Sequence, residues 1–171
     1  EIKKYNTLIV RSDTGTGKTR GTTDYIRQFY PKYKVLSIVS RRSLVDTHQK
    51  GFDPKLESDD NEEQKWKGKS IPLVSYESPS LDIHSDNIVI QIDSINKLHD
   101  IESFENYIVY LDEINSLLDY ILRSSTLTKR RIEVLKMFNT IIQQAYKVIA
   151  TDADVSDLVI KYFELYKDVQ N

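Results

Sequence analysis

One short segment combines glycines with a lysine and a threonine in an order suited to phosphate binding. The segment is SDTGTGKT, residues 12–19, where Gly15 and Gly17 precede Lys18 and Thr19. Glycines let the backbone turn with its N–H groups pointing inward, the lysine neutralises phosphate charge, and the threonine hydroxyl can bind Mg²⁺. The alternative is an ordinary turn with a threonine as helix cap. The phosphate-loop interpretation assigns ATP binding to Thr14, Gly15, Thr16, Gly17, Lys18 and Thr19.

A second segment, YIVYLDEIN at residues 107–115, brings two adjacent carboxylates directly after a strand-like run. Asp112 is expected to bind Mg²⁺ together with Thr19. Glu113 is expected to orient and deprotonate the attacking water, so the predicted catalytic residues are Glu113 and Lys18. The alternative is a pair of acids at a helix N-terminus. We expect this strand to neighbour the strand before the phosphate loop, because ligands bind at the carboxyl ends of strands in open α/β sheets.

The elements that must position these residues alternate between short apolar runs and amphipathic ones. Alternation of this kind predicts βα units on a mostly parallel central sheet flanked by helices. The predicted strands are 7–10, 34–39, 87–92, 107–112 and 147–151, and the predicted helices are 19–30, 41–49, 93–100, 113–125, 129–144 and 155–166. The charged stretch at about 52–70 is interpreted as a surface loop, and Lys129, Arg130 and Arg131 as a solvated helix start.

Composition limits the classes of function. The 171 residues are about one domain long, and a net charge of -2 gives no whole-molecule argument for binding nucleic acid or membrane. The absence of cysteine excludes disulfides and thiolate metal sites and suits an intracellular protein. No apolar run is long enough for a membrane span, so we expect a soluble protein without a membrane partner. The chain begins at Glu1 rather than Met, which suggests a piece of a longer polypeptide.

The order SDTGTGKT, LDEIN, ATDAD resembles motifs I, II and III of superfamily 2 helicases. Within that superfamily it is most similar to the herpes-type origin-binding and helicase-primase proteins of large DNA viruses. VLSIVSRRSLV (35–45) is similar to their motif Ia and VIQIDSINKL (89–98) to their motif Ib. The resemblance implies that residues 1–171 form one three-layer RecA-like P-loop NTPase domain of the α/β class. DEIN departs from DEAD or DEAH, and TDAD from the usual SAT.

The resemblance also implies where nucleic acid binds. Guanidinium and hydroxyl groups after strand 34–39 would contact the phosphate backbone, and polar residues of motif Ib would contact the same strand of nucleic acid. Motif III would couple hydrolysis to movement, although its residues could equally cap the next helix, and the arginines could be a solvated helix start. The predicted nucleic-acid contacts are Ser40, Arg41, Arg42, Gln91 and Ser94, and the predicted coupling residues are Thr151, Asp152 and Asp154.

No segment after residue 154 resembles motifs IV to VI, which lie on a second RecA-like domain that supplies an arginine finger. We therefore expect the ATP-binding half of a DNA helicase in viral replication, nearly inactive alone. Its expected cofactors are ATP and Mg²⁺. Its expected partners are single-stranded or origin DNA, with RNA not excluded, and the second domain, within a host cell's replication compartment. Two alternatives stay open: another translocase or packaging ATPase, and a nucleotide-binding interaction domain without turnover.

Overall fold

The structure is a computed structural model that describes residues 6–13, 15, 17–53 and 70–166. Within these ranges the chain forms six strands, five α-helices and two 3₁₀ segments. The strands are β1 (Thr7–Arg11), β2 (Lys34–Val39), β3 (Leu73–Ser75), β4 (Asn87–Gln91), β5 (Tyr107–Asp112) and β6 (Lys147–Asp152). The α-helices are α1 (Lys18–Phe29), α2 (Ser43–Phe52), α3 (Ile114–Arg123), α4 (Arg131–Gln144) and α5 (Asp157–Tyr166), and 3₁₀ turns cover Ile92–Asp100 and Ser125–Leu127.

The strands form one sheet in the order β1-β6-β5-β2-β4-β3, and every pairing between them is parallel. Parallel pairing places all the carboxyl ends at one edge of the sheet. The register is level there, since Arg11 pairs with Asp152 and Thr151 pairs with Asp112. The predicted parallel α/β sheet is confirmed, and the candidate motifs lie at this edge.

Helices cover both faces of the sheet, because side chains of each buried strand alternate between two cores. One core packs α1 and α2 on one face through residues such as Ile26, Val45 and Ile108. The other packs α3, α4 and α5 on the opposite face, for example Leu117 and Phe138. The sheet is therefore the middle of three layers.

Several details differ from the sequence prediction. β3 was not predicted, because a run of three residues is too short to show an alternating pattern. The segment predicted as a helix at 93–100 is a 3₁₀ helix. β6 lies between β1 and β5, so the expectation that the carboxylate strand directly neighbours the phosphate-loop strand was wrong.

The interpretation of residues 129–131 as a solvated helix start holds only in part. Arg131 is half-buried, and its guanidinium donates from Nε to the Ile121 carbonyl at 3.0 Å and from Nη2 to the Ser124 carbonyl at 2.6 Å. It thereby satisfies carbonyls at the end of α3. Of the predicted loop 52–70, residues 54–69 lie outside the described ranges, as do Thr14 and Thr16. None of the helices within those ranges combines the length and apolar character needed to cross a membrane.

Candidate nucleotide and nucleic-acid site

The loop between β1 and α1 has the backbone shape that its glycines suggest. Gly15 has φ 75° and Gly17 has φ 76°, both in the left-handed region that glycine adopts without strain. Gly17 is the N-cap of α1, and its carbonyl accepts the N–H of Gly21 at 2.8 Å in the first helical turn. The loop therefore leads into a helix N-terminus, where backbone N–H groups and the helix dipole favour an anion.

The Lys18 ammonium is bound by the loop that precedes it. Its Nζ donates to the Ser12 carbonyl at 2.8 Å and lies 3.4 Å from the Asp13 carbonyl. Both partners are neutral acceptors, so the positive charge of Lys18 remains without a carboxylate in these contacts. An ammonium has three donors and can exchange carbonyl oxygens for phosphate oxygens.

Asp112 and Glu113 occupy the turn from β5 into α3. Asp112 is the last residue of the strand, and Glu113 has φ 50° and ψ 52°, the only positive φ among described residues other than glycine. The Glu113 N–H donates to Asp112 Oδ1 at 3.0 Å. Burial raises the pKa of the Asp112 carboxyl, but the neighbouring imidazole of His48 and the hydroxyl of Thr151 favour the charged form, and its net pKa lies below the ordinary value.

A series of side-chain contacts joins the start of α1 to this carboxylate. Thr19 Oγ1 lies 3.3 Å from the Tyr110 hydroxyl, which lies 3.3 Å from Thr151 Oγ1. Thr151 Oγ1 donates to Asp112 Oδ1 at 2.6 Å. We call these four side chains the hydroxyl chain. Sequence reasoning found three of its members but missed Tyr110, since a tyrosine in a β-rich run looks like an ordinary core residue.

A buried histidine approaches the other oxygen of Asp112. His48 of α2 is 1% exposed, and its Nε2 lies 3.6 Å from Asp112 Oδ2. The Nδ1 atom of the same ring lies 2.6 Å from Oγ of Ser37, which is also buried. Neither residue was selected from the sequence. The sequence could have indicated this pair, because Ser37 and His48 are polar residues at core-facing positions of β2 and α2, and buried polar groups need hydrogen-bond partners.

The end of β6 contacts both neighbouring strands' loops. The Ser12 N–H donates to the Asp152 carbonyl at 2.9 Å, and the Asp152 carboxylate accepts the Asn115 N–H at 2.8 Å. Asn115 also donates to the Asp154 carbonyl and accepts from Ser156 Oγ at 2.5 Å. Asp152 thus accepts a backbone N–H in the first turn of α3. The capping alternative concerned Thr151 or Asp154 and the helix after β6, and Thr151 Oγ1 donates instead to Asp112. Asn115, the last residue of DEIN, ties motif II to motif III.

The residues predicted to contact nucleic acid after β2 differ in exposure. Arg41 and Arg42 are exposed, whereas Ser40 is 3% exposed and points away from solvent. Burial therefore argues against Ser40 as a direct phosphate contact. Arg42 Nη2 forms an ion pair with Glu77 Oε2 at 2.7 Å, and both side chains are accessible to solvent. Glu77 follows β3 and was not selected from the sequence.

Gln91 and Ser94 lie at the end of the adjacent strand β4 and are half-buried. Gln91 Nε2 donates to Asp93 Oδ2 at 2.7 Å, and the Tyr120 hydroxyl donates to the same oxygen at 2.9 Å. Because Tyr120 belongs to α3, Asp93 connects the motif Ib segment to the helix that starts after Glu113. The predicted nucleic-acid residues therefore gather at the ends of β2 and β4, beside the hydroxyl chain.

Comparisons with known proteins agree with this geometry. A family model described as origin of replication binding protein matches residues 2–171. The replication origin-binding protein of human herpesvirus 6B (strain Z29) is 28% identical over 166 residues, covering 93% of this chain and 18% of the relative. An uncharacterized protein of Acanthamoeba polyphaga mimivirus, named as a candidate helicase, is 29% identical over 166 residues, covering 91% and 14%.

Among solved structures, a DEAD box protein from the hyperthermophile Methanococcus jannaschii superposes with a TM-score of 0.59 at 15% identity, covering 98% of this chain and 44% of that one. This likeness confirms the RecA-like α/β fold that the motif order implied. The chain spans less than a fifth of the two viral relatives. Since the family model covers nearly every residue, the chain belongs to the family of origin of replication binding proteins.

Proposed function

We propose that this chain is the ATP-binding half of a nucleic-acid-dependent ATPase, a DNA helicase acting in genome replication. The observation that carries the proposal is the hydroxyl chain, because it joins the phosphate loop to a carboxylate at the carboxyl edge of one parallel sheet. An unrelated turn and an unrelated acidic helix start would have no reason to be joined by a continuous series of side-chain contacts. The herpesvirus relative's name, a replication origin-binding protein, supports DNA as the partner.

The residues at the loop fit ATP with Mg²⁺. Thr19 and Asp112 offer a hydroxyl and an ionised carboxylate, which are hard oxygen ligands of the kind Mg²⁺ prefers. The described part of the chain holds no group of three or more histidine or acidic side chains that could enclose a metal. A site with two protein oxygens suits an ion that shares its remaining positions among phosphates and water. Bound Mg²⁺ would neutralise charge on the phosphate oxygens.

Each remaining residue has one task in this proposal. Lys18 neutralises phosphate charge, and the loop from Thr14 through Thr16 and Gly17 supplies backbone N–H groups. Glu113 orients the attacking water and accepts its proton. Thr151, Asp152 and Asp154 couple the nucleotide site to movement, because the end of β6 contacts both the phosphate loop and the start of α3.

Arg41 and Arg42 would bind the phosphate backbone of single-stranded DNA or of an unwound origin, without reading sequence. Gln91 and Ser94 would contact the same strand of nucleic acid from the end of β4. RNA could bind through the same backbone contacts, and a 2′-hydroxyl contact would separate the two. A second RecA-like domain would complete the site by supplying an arginine to the transferring phosphoryl group.

Calorimetric titration of the 171-residue chain with Mg²⁺–ATP tests the nucleotide part of the proposal. Lys18→Ala should lower affinity roughly 10- to 100-fold, because hydrogen bonds to charged groups contribute about 1.5–3 kcal/mol. Lys136→Ala, an exposed lysine of α4 on the opposite face of the sheet, is the matched control and should bind as the unaltered chain does. Equal affinities for the two variants, both folded by circular dichroism, would defeat the phosphate-loop assignment.

A further inference from the structure

The Tyr110 hydroxyl stands at the centre of the hydroxyl chain, between the phosphate loop and the end of β6. The ring is fully buried, and it packs against His48 and Phe52 of α2 with centroid distances of 5.4 Å and 5.2 Å. The hydroxyl is therefore a fixed group that can donate one hydrogen bond and accept others.

Asp112 is the last residue of the hydroxyl chain, and its chemistry sets the direction of every hydrogen bond in that series. An ionised carboxylate only accepts, so the single proton of Thr151 is committed to Asp112 Oδ1, at 2.6 Å. Thr151 can then only accept from Tyr110. The Tyr110 proton is therefore donated to Thr151 Oγ1, and the Tyr110 oxygen remains free to accept the proton of Thr19.

We infer that Tyr110 is a positioning residue that fixes the Thr19 hydroxyl for Mg²⁺, an inference that rests on the proposed function. A hydroxyl binds a metal through a lone pair, so its own proton must point elsewhere. Tyr110 gives that proton an acceptor on the buried side and leaves the lone pairs of Thr19 for the loop side. The hydrogen bond from Thr151 to Asp112 sets this direction, so one series of contacts links Thr19 to Asp112, the two expected magnesium residues.

The contact between α2 and α1 supports a fixed orientation of Thr19. A Cβ atom added at Gly51 would lie 2.7 Å from Thr19 Cγ2 and 3.3 Å from Thr19 Cβ. The Thr19 methyl group is thus packed directly against the backbone of α2, which restricts rotation about χ1. Packing holds the carbon atoms of Thr19, and Tyr110 holds its proton.

The test measures ADP affinity by calorimetry with Mg²⁺ and again with a chelator, and takes the ratio as the magnesium enhancement. Tyr110→Phe should reduce this ratio about two- to tenfold while leaving metal-free affinity unchanged, because it removes the acceptor of the Thr19 proton without touching the loop. Both 3.3 Å contacts are long for O–H···O hydrogen bonds, so a larger effect is not expected. Tyr107→Phe, a buried tyrosine of the same strand outside the hydroxyl chain, is the matched control and should keep the full ratio.

A second variant protects the test against misfolding. Thr151→Val removes one hydroxyl from the hydroxyl chain and should lower the magnesium enhancement, whereas Thr151→Ser keeps a hydroxyl and should retain it. Adding Tyr110→Phe to Thr151→Val should lower the enhancement no further. An unaltered ratio in folded Tyr110→Phe, or additive effects in the double variant, would overturn the inference alone. If the unaltered chain binds no nucleotide with or without Mg²⁺, the proposed function fails and this inference fails with it.

Discussion

Glu113 adopts a backbone conformation that costs free energy, and the cost can be measured. Its φ of 50° and ψ of 52° lie in the left-handed region, where a residue with a Cβ atom is about 1–2 kcal/mol less stable than in the right-handed one. The turn persists because the Glu113 N–H donates to Asp112 Oδ1 and its carbonyl accepts the Leu117 N–H at 3.0 Å, starting α3. The strain therefore accompanies the placement of the proposed water-activating carboxylate.

Replacing Glu113 by glycine should relieve the strain. Glycine adopts the left-handed region freely but loses more conformational entropy on folding, about 0.5–1 kcal/mol relative to alanine. The difference leaves Glu113→Gly about 0.5–1 kcal/mol more stable than Glu113→Ala, which keeps the strain and equally lacks the carboxylate. For a chain of this length that corresponds to about 1–4 °C in Tm.

Thermal unfolding of the two variants, followed by circular dichroism at one scan rate, measures this difference. The comparison with alanine isolates the backbone term, because neither variant retains the carboxylate. A Glu113→Gly variant that melts at or below the temperature of Glu113→Ala would show that the left-handed turn stores no strain. If the prediction holds, the left-handed backbone at Glu113 lowers the stability of the folded chain.

Two further predictions concern neighbours of the proposed site. Gly51→Ala should lower Mg²⁺–nucleotide affinity in calorimetry, because the new methyl group would lie 2.7 Å from Thr19 Cγ2. Gly21→Ala is the control: its methyl group would have no atom within 4 Å, so this variant should bind nucleotide normally and gain up to about 1 kcal/mol in helix stability. Glu77→Gln should raise single-stranded DNA affinity about two- to fivefold at low salt by releasing Arg42. A gain that survives in an Arg42→Ala background would contradict this reason.

The sequence was sufficient for elements whose pattern is local. The parallel sheet and the loop before Lys18 were predictable because strand runs, turn glycines and a helix start follow one another directly. β3 was missed because three residues carry no period. Residues 93–100 were predicted as a helix, but a pattern so short does not separate an α-helix from the 3₁₀ helix observed at Ile92–Asp100.

The contacts around the candidate site depend on residues far apart in the chain. Tyr110 was missed because its partners, Thr19 and Thr151, lie 91 and 41 residues away. Glu77 lies on a loop after the unpredicted β3, so its ion pair with Arg42 had no local signal. Ser40 was predicted as a nucleic-acid contact, yet it directly follows the buried end of β2 and is itself buried. The motif Ia segment that contains Ser40 was recognisable from the sequence, but the direction of the Ser40 side chain was not.

The position of β6 explains why a threonine late in the sequence belongs at the centre of the site. β6 separates β1 from β5, and its register places Thr151 level with Asp112 while the next residue pairs with Arg11. A strand in this place must fill the gap between the loop before α1 and the Asp112 carboxylate without adding a competing charge there. Threonine does so because one hydroxyl can accept from Tyr110 and donate to Asp112. Any shift of β6 against β5 would alter the contacts of Asp112 and Thr19 together, which supports the coupling role proposed for the end of β6.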